Sequence, residues 1–341
     1  MKLLNKKENI GNWQMFSNKC YINQNSFVLE LENNNPIVQL NDYWGINFYA
    51  TFFNVYTNKS LNTLYDYSGS FLKTFEKKNF YYFYSEDEFI FYDKIERKSF
   101  YNNEFICDGK ILNLYLDNIS NLFFARENYL SLYIKHRETV WQFSLSQLSS
   151  YITDEGEEKP IELVSIIGVY KNTLWILVTN RKIIGIDVEK GILLHEIDLC
   201  KELGLAPNTI ENFNFSLKDV HLDEEKGFIK SLSYRYYWEM NLETLQIKIK
   251  KDFGEKSDNT WRINRSKYYS GDNNLYFIGT NKGEVVNRAV GVFDTEKLEV
   301  VWYDTPLEEK KYLFFTDVPQ ASTKSLAVLD SENNLRIYER D

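Results

Sequence analysis

The residues that could carry acid–base or metal chemistry are few and scattered along the chain. Its three histidines are His136, His195 and His221. A metal site needs His, Cys or carboxylate ligands at short spacing, and these three are isolated in the sequence. His195 lies within an apolar run, where packing is the expected role. The sequence therefore predicts no metal site and no bound cofactor, and it assigns no catalytic residue.

Motifs for phosphate binding and nucleophilic catalysis are also missing from the sequence. Residues 279–284 place Lys282 between two glycines but lack the Gly-Lys-Ser/Thr ending of a phosphate loop, so they predict a hairpin turn. No Gly-x-Ser-x-Gly elbow occurs. Residues 330–334 resemble a calcium loop, but without its central glycine and distal glutamate they predict another turn. A pair of carboxylates acting as acid and base needs a set separation in space, which sequence spacing does not reveal.

An acidic run is the first candidate for partner binding. A cluster of carboxylates can dock a basic surface by electrostatic attraction, although a solvated loop is the alternative interpretation. The acidic residues of this run are Asp154, Glu155, Glu157 and Glu158.

A second candidate combines aromatic side chains with arginine, the residue types that dominate binding hot spots. Residues 234–238 read Tyr-Arg-Tyr-Tyr-Trp, and strand alternation would bury about half of them. Tyr234 and Arg235, nearest the turn, are the residues expected at the surface. The following loop, residues 251–262, is long and carries Trp261, and long loops of this kind are often functional.

The charge of the chain bears on its class of partner. The formal net charge is −9 at pH 7, whereas nucleic-acid-binding proteins usually carry a basic footprint. We therefore expect no nucleic-acid partner. A net negative surface favours solubility and fits a basic protein partner.

Cysteine usage and the lack of apolar segments predict a compartment. Cys20, Cys107 and Cys200 are odd in number and widely spaced, which argues against a disulfide framework. The first residues lack the apolar core of a secretory signal, and no apolar run approaches the roughly 20 residues of a membrane-spanning helix. We therefore expect a cytoplasmic protein with reduced thiols and no membrane contact.

Short apolar runs separated by polar turns fill the chain, and they predict strands. Aromatic residues, which suit half-buried pleated surfaces, make up 16% of the sequence and support this prediction. Helical periodicity is rare, with residues 200–205 as the best helical candidate. The sequence therefore predicts an all-β fold.

The strands follow a repeat of about 50 residues, typical of propeller blades. One recurring element is a strand, a tight polar turn and the start of another strand. Its first turn residue is Asp, Asn or Ser, whose side-chain oxygen can accept bonds from nearby backbone N–H groups. The copies are centred on Ser144, Asp187, Asn241 and Asp294, with the copy at Ser144 the weakest.

Residues 174–191, LWILVTNRKIIGIDVEKG, resemble a blade of the quinoprotein-type (PQQ-like) or WD40-like repeat. In those repeats a hydrophobic strand and a short turn precede an apolar-x-apolar-Asp pattern that ends in Thr/Lys-Gly. The resemblance extends over residues 161–303. The chain lacks the Gly-His and Trp-Asp pair of standard WD40 repeats and the tryptophan docking pattern of quinoprotein repeats. The resemblance thus implies propeller architecture and no particular activity.

We therefore expect a single domain over residues 1–341, a β-propeller of about seven four-stranded blades, with six or eight as alternatives. Residues 335–340 predict a strand without an outer partner, and residues 2–5 could supply that partner and close the ring. The assignment of residues 43–135 to blades stays open. Asp66 and Asp93 both resemble the turn residue, but they lie too close together in sequence for both to be copies of it.

The leading functional hypothesis is a non-catalytic, protein-binding propeller that is monomeric on its own and has a basic protein partner. A narrower version is a cytoplasmic immunity protein that neutralises a cognate toxin domain, suggested by an acidic domain with neither catalytic motif nor export signal. The alternatives are a propeller hydrolase or lyase acting on a glycan or small molecule, and a scaffold subunit of a larger assembly. Converging carboxylates or histidines in an open channel would favour the enzyme.

Overall fold

The computed structural model describes most of the chain, and the statements below concern the described residues. His136, Asp154 and the candidate turn at Asp66 lie outside them. The described residues are 1–8, 10–16, 19–24, 27–32, 35–40, 43–48, 53–57, 61–63, 75–76, 80–84, 89–93, 95–101, 104–109, 111–118, 121–126, 128–134, 138–153, 155–204, 219–254, 261–281, 286–306 and 312–340.

The first half of the chain is built from antiparallel sheets whose strands follow one another in sequence. These sheets are β2–β5, β6–β8, β9–β13 and β14–β17, followed by a hairpin, β18–β19. The strands in this half of the chain are β1 (Lys2–Lys7), which belongs to the last sheet, and then β2 (Ile10–Phe16), β3 (Lys19–Gln24), β4 (Phe27–Glu32), β5 (Asn35–Leu40), β6 (Tyr43–Phe48), β7 (Phe53–Thr57), β8 (Leu61–Thr63), β9 (Phe75–Glu76), β10 (Phe80–Tyr84), β11 (Phe89–Asp93), β12 (Lys98–Tyr101), β13 (Glu104–Asp108), β14 (Asn113–Asn118), β15 (Asn121–Arg126), β16 (Tyr129–Ile134), β17 (Thr139–Ser144), β18 (Tyr151–Ile152) and β19 (Glu158–Lys159).

The second half continues the same arrangement with four-stranded sheets β20–β23, β24–β27 and β28–β31. In the last sheet, β32–β34 are joined by the N-terminal β1. The strands are β20 (Leu163–Tyr170), β21 (Thr173–Val178), β22 (Lys182–Asp187), β23 (Leu193–Asp198), β24 (Val220–Asp223), β25 (Phe228–Ser233), β26 (Tyr236–Asn241), β27 (Ile247–Asp252), β28 (Arg262–Tyr269), β29 (Asn274–Thr280), β30 (Ala289–Asp294), β31 (Glu299–Asp304), β32 (Gln320–Ala321), β33 (Ser325–Leu329) and β34 (Leu335–Glu339).

Helix is nearly missing from the described part of the chain. It consists of a 3-10 turn, Leu145–Gln147, and one α-helix, α1 (Leu199–Glu202), which begins one residue before the predicted helical turn. The Asp198 carboxylate caps α1 by accepting bonds from the N–H groups of Cys200 and Lys201 at 3.0 and 3.1 Å. The all-β prediction is confirmed.

Two compact units make up the chain. Unit 1 consists of Met1–Asn41 and Leu203–Asp341, and unit 2 is Asp42–Glu202. Unit 1 contains the β2–β5, β24–β27 and β28–β31 sheets and the β32–β34 sheet with β1, while unit 2 contains the other sheets and the β18–β19 hairpin. The single-domain organisation stays a prediction.

The N-terminal strand closes the last sheet of unit 1, as predicted. β1 pairs antiparallel with β34, with Lys2 opposite Glu339 and Lys7 opposite Leu335. Eight sheets of three to five strands can be counted in the described residues, six of them four-stranded. If each sheet is one blade, eight sheets correspond to the upper end of the predicted range of six to eight blades.

The recurring turn between strands has the predicted chemistry. Oδ1 of Asp187, Asn241 and Asp294 each accepts bonds from the N–H groups two and three residues ahead, at 2.8–3.0 Å. Asp93 forms the same turn between β11 and β12, so it is a true copy. Ser144 ends the fourth strand of the β14–β17 sheet rather than the third, so the prediction that it opens the same hairpin turn is wrong. Its hydroxyl instead caps the 3-10 turn by accepting a bond from the Ser146 N–H at 3.3 Å.

The last strand of seven sheets carries a β-bulge, one residue that has no partner on the neighbouring strand. The bulge follows one to three paired residues from the beginning of the edge strand, and it bends and twists that strand locally. The bulged residues are Leu4, Ile37, Ile106, Val140, Leu194, Lys250 and Val301.

Apolar and aromatic side chains from successive sheets form the cores of the two units. In unit 2, residues of β14–β17 pack with residues of β20–β22 in one cluster. In unit 1, the β24–β27 and β28–β31 sheets share one cluster, and β28–β31 shares another with β32–β34. Largest among the fully buried side chains are Trp175, Trp238, Tyr237, Tyr276 and Tyr338.

Candidate functional site

The acidic run of unit 2 forms an ordered hairpin, here called the acidic hairpin, which consists of residues 151–159. Tyr151 pairs with Lys159, and Ile152 pairs with Glu158. In the turn, the Thr153 N–H donates to the Glu157 carbonyl at 2.8 Å, and the Gly156 N–H donates to the Thr153 carbonyl at 2.9 Å. The hairpin thus holds its carboxylates on a defined backbone.

The described carboxylates of the acidic hairpin face solvent. Glu155, Glu157 and Glu158 are exposed. Glu157 lies 3.3 Å from the ammonium of Lys159, and Glu158 accepts a bond from the Ser150 hydroxyl. Ile152 is 70% exposed beside them. An exposed aliphatic side chain among carboxylates can make apolar contact with a partner after electrostatic attraction has brought it close.

Tyr234 lies in the turn between β25 and β26 of unit 1, partly buried. Its backbone has a φ of 51°, in the left-handed region that a bulky residue rarely adopts. Its N–H and carbonyl both bond to Ile263 at 2.7 Å, which holds this conformation. The Arg262 guanidinium lies 4.9 Å from the centre of the Tyr234 ring. Tyr234 is therefore a partly exposed aromatic residue whose backbone conformation is fixed by these hydrogen bonds.

Arg235 is more enclosed than the sequence suggests. Its side chain is 12% exposed, and its guanidinium lies 3.1 Å from the Asp252 carboxylate and 4.7 Å from the centre of the Tyr236 ring. These contacts already engage its charge and one face of its guanidinium plane. A partner would meet the edge of this group rather than a free cation.

Trp261 requires a correction. It is 8% exposed and packs edge-to-face on Phe277 and Tyr303, with ring centres 5.1 Å apart in both cases. The ring is thus buried rather than exposed as expected, because it packs against these two aromatic side chains, and a binding role for Trp261 stays a prediction. Tyr303, which is 50% exposed, presents the accessible aromatic surface there.

The two described histidines have structural surroundings. His195 stacks on Trp175, with ring centres 5.6 Å apart and ring planes 6° apart. The Nε2 of His221 lies 3.2 Å from the Ser266 carbonyl. Burial lowers the pKa of His221 to about 4, and the charge of Lys267 acts in the same direction. His221 is therefore neutral near pH 7.

Buried carboxylates of unit 1 are likewise engaged in structural contacts. Asp223 accepts bonds from Lys230 at 2.6 Å and from the Tyr268 hydroxyl at 2.9 Å. Asp219 accepts bonds from Arg265 and from the Ser266 N–H. Such satisfied networks stabilise a core.

Thiol and metal chemistry find little support in the described residues. Burial raises the pKa of Cys107 to about 11 and also raises the pKa of Cys200, which disfavours the reactive thiolate. Where side chains are described, no group of three or more His, Cys, Asp or Glu could hold a metal ion. Among the described helices, none is both long and apolar enough to cross a membrane.

Sequence reasoning missed an exposed set of aliphatic side chains in unit 2, here called the aliphatic patch. Leu193 and Leu194 begin β23, Ile192 directly precedes that strand, and Val140 lies on β17. They are 51%, 40%, 41% and 44% exposed, in that order. The available signal was the run of three consecutive aliphatic residues beside a polar turn, because alternation would bury only one side of a strand.

Comparison with known proteins supports the fold. No family model matches the chain, and no curated protein matches it. Solved structures do match: the computationally designed Ika8 protein is 9% identical, with a TM-score of 0.54 and 100% of both chains covered. The β-propeller domain of Myceliophteria_thermophila Cps50 (Swd1) is 10% identical, with a TM-score of 0.54 over 99% of this chain and 100% of that one.

Sqt1 of Saccharomyces cerevisiae is also 10% identical, with a TM-score of 0.55 and 100% of both chains covered. At such identities the similarity shows the fold alone. The chain is a β-propeller, and the resemblance of its repeats to WD40-like or quinoprotein-type blades stays an expectation.

Proposed function

We propose that this chain is a non-catalytic propeller that binds a protein partner, with the acidic hairpin as its docking element for a basic surface. The observation that carries the proposal is the ordered turn that exposes Glu155, Glu157 and Glu158 beside an open Ile152. Long-range attraction raises association rates, and the apolar side chain adds contact area after encounter. Propellers serve many functions, so the proposal rests on this site rather than on the fold.

The partly buried pair Tyr234 and Arg262 offers a second contact of a different kind in unit 1. Stacked aromatic and arginine groups in a fixed geometry lose little conformational entropy on binding. Together with the Arg235 edge and the exposed Tyr303, they would lengthen the lifetime of a complex rather than speed its formation. This role for Tyr234 and Arg235 is part of the proposal.

A narrower form of the proposal is inhibition of one cognate toxin domain in the cytoplasm, with the propeller monomeric before binding. The net charge of −9 supports a basic target. Recovery of a single basic toxin domain, with its activity lost at one-to-one stoichiometry, is the result expected. A stable set of several subunits would instead favour the scaffold alternative. The enzyme alternative has no comparable observation in its favour.

The test is kinetic. A partner recovered by affinity pull-down is immobilised, and association is followed by surface plasmon resonance at low and physiological salt. Replacing the carboxylates of the acidic hairpin should lower the on-rate about tenfold at low salt, with little change in the off-rate. The difference should shrink as salt rises, because the Debye length is about 8 Å at physiological ionic strength. The variant carries Asp154→Ser, Glu155→Gln, Glu157→Gln and Glu158→Gln.

A matched control removes the same number of charges from exposed positions of unit 1. Its substitutions are Glu225→Gln, Glu243→Gln, Glu299→Gln and Glu339→Gln. If both variants lower the on-rate equally, only the net charge matters and the hairpin is not the docking element. Recovery of no protein partner would contradict the proposed function itself.

A further inference from the structure

The aliphatic patch of unit 2 lies beside a rigid contact between neighbouring sheets. Trp141 of β17 packs against Gly191 in the turn between β22 and β23, where an added Cβ would lie 2.4 Å from Cδ2 of the indole. The indole Nε1 donates to the Val188 carbonyl at 2.7 Å. Val140 and Ile192 directly adjoin these contact residues in sequence, so the patch has a fixed backbone.

The fold does not require aliphatic residues at these positions. Val140 and Leu194 are the bulged residues of β17 and β23. The bulge of β27, which follows three paired residues rather than one, carries the exposed Lys250, so a charged side chain is accommodated at the bulge of an edge strand. Exposed apolar residues that the backbone geometry does not need are a mark of interaction surfaces when they cluster.

Among the described residues, the charges at the border of the patch are mainly negative. Glu138 and Glu189 are exposed on the two adjoining segments, and Asp187 opens the turn between β22 and β23. Lys190 is the exposed cation of the same turn. An apolar centre with an acidic border is complementary to a surface that offers aliphatic side chains flanked by lysine or arginine.

We infer that the aliphatic patch docks an amphipathic helix of a partner protein, whose aliphatic stripe covers Val140 and residues 192–194 and whose flanking basic residues face Glu138 and Glu189. The inference deepens the proposed function and rests on it, since the same unit carries the acidic hairpin. Helices with such a stripe have anchors spaced three and four residues apart, so successive anchors could contact the exposed aliphatic residues on either side of the Trp141–Gly191 contact.

A defined peptide tests the inference without the natural partner. The probe is a labelled synthetic helix of about 18 residues, or five turns, with leucines on one face and lysines on both flanks. Fluorescence anisotropy gives its Kd for the full chain. The double variant Val140→Lys and Leu194→Lys should weaken binding about tenfold or more. The control, Val301→Lys, places the same residue at the equivalent bulge of β31 in unit 1 and should leave the Kd unchanged.

Two further measurements separate the possible outcomes. A companion peptide with glutamates in place of the lysines should bind clearly more weakly than the basic peptide. Methyl NMR of the unsubstituted protein should show shifts at Val140, Leu193 and Leu194 on titration, which keeps the test decisive even if the double variant fails to fold. Equal Kd values for the unsubstituted protein and a folded double variant, or equal binding of both peptides, would overturn the inference.

Self-association is the remaining alternative occupant. Sedimentation velocity of the unsubstituted protein that shows a dimer, lost in the double variant, would assign the patch to a second copy and overturn the inference. A failure of the helix-docking inference can be distinguished from a failure of the proposed function, because the acidic-hairpin variant is measured against a different ligand. A patch variant that binds normally while the hairpin variant associates slowly would reject only the helix docking.

Discussion

Gly191 is constrained twice, by its backbone and by its neighbour. Its φ of 65° lies in the left-handed region, and Trp141 occupies the space that a side chain would need. Gly156 also has a positive φ, of 81°, but an added Cβ there would meet nothing within 4 Å. A comparison of substitutions at the two glycines therefore separates the cost of conformational strain from the cost of steric overlap.

We expect Gly191→Ala to reduce the free energy of unfolding by roughly 3 kcal/mol, the sum of left-handed strain and overpacking. Gly156→Ala should reduce it by only about 1 kcal/mol, from strain alone. Urea denaturation with a shared m-value measures both. Similar losses in the two variants would mean that the indole moves aside at little cost.

His221 gives the fold a pH dependence whose sign can be stated. Its pKa is lowered from 6.5 to about 4 in the folded protein, by burial and then by Lys267. Below pH 6.5 the unfolded chain takes up a proton that the folded protein refuses. The contribution of neutral His221 to stability is therefore fully present above pH 6.5 and is lost as the pH falls toward 4.

The expected loss from His221 is roughly 2 kcal/mol across this window, after allowance for its incomplete burial. His221→Gln removes the titration, and its amide can still donate to the Ser266 carbonyl. Urea midpoints measured between pH 8 and pH 5 should fall less steeply for this variant than for the unsubstituted protein. Parallel curves would show that His221 takes up its proton equally in both states.

Residue types predicted some of the candidate site and missed the rest. The acidic run is exposed because charged side chains stay in water unless they are paired. Trp261 could not be placed from sequence, because a large ring beside a loop is as easily buried as displayed, and its partners Phe277 and Tyr303 are distant in sequence. The aliphatic patch depends on two strands that meet only in the folded unit.

Turns are the elements that the sequence predicts best here. In the turn at Asn241, the side-chain oxygen accepts bonds from the N–H groups of Glu243 and Thr244, and the Leu245 N–H returns to the Asn241 carbonyl at 2.8 Å. Every partner lies within four residues, so the local sequence contains the whole structure. Bulges were not predicted, because they depend on register against a neighbouring strand.

Removing the turn acceptor gives a direct measure of its contribution. Asn241→Ala should lower the free energy of unfolding by about 1 kcal/mol, since two N–H groups lose a protein acceptor but stay near water. Asn241→Asp keeps the acceptor and should be close to neutral. The comparison uses urea midpoints. A loss in the aspartate variant as large as in the alanine variant would show that the amide group has another role.

For the molecule as a whole, the strand order at the termini was predictable and the number of sheets was less so. The strand at residues 335–340 lacked a following strand in sequence, and the N-terminus was the available partner. Residues 43–135 carry few clear copies of the turn, and there the repeat could not be phased. The turn at Asp93 lies within the five-stranded β9–β13 sheet, and a regular four-strand repeat does not predict a sheet of five strands.

Deletion of residues 1–7 tests the closure of the last sheet. It removes roughly five backbone pairings with β34, each worth about 1 kcal/mol, so stability should fall by roughly 3–5 kcal/mol. It also uncovers an unpaired edge. Thermal melts compare the truncated and intact proteins, and a synthetic peptide of residues 1–8 added in excess should restore part of the loss. An unchanged melting temperature would mean that β1 contributes nothing to the fold.

The bulges on the last strands have a consequence for behaviour at high concentration. Amyloid growth requires a straight edge whose N–H and carbonyl groups repeat in even register, so that an incoming chain can add along its full length. The extra residue in each bulged strand shifts this register within the strand, at Val140, Leu194, Lys250 and Val301 among others. An added strand could not pair in even register along the whole of such an edge. We therefore expect the backbone geometry, and not charge alone, to disfavour fibril formation by this chain of aromatic-rich strands.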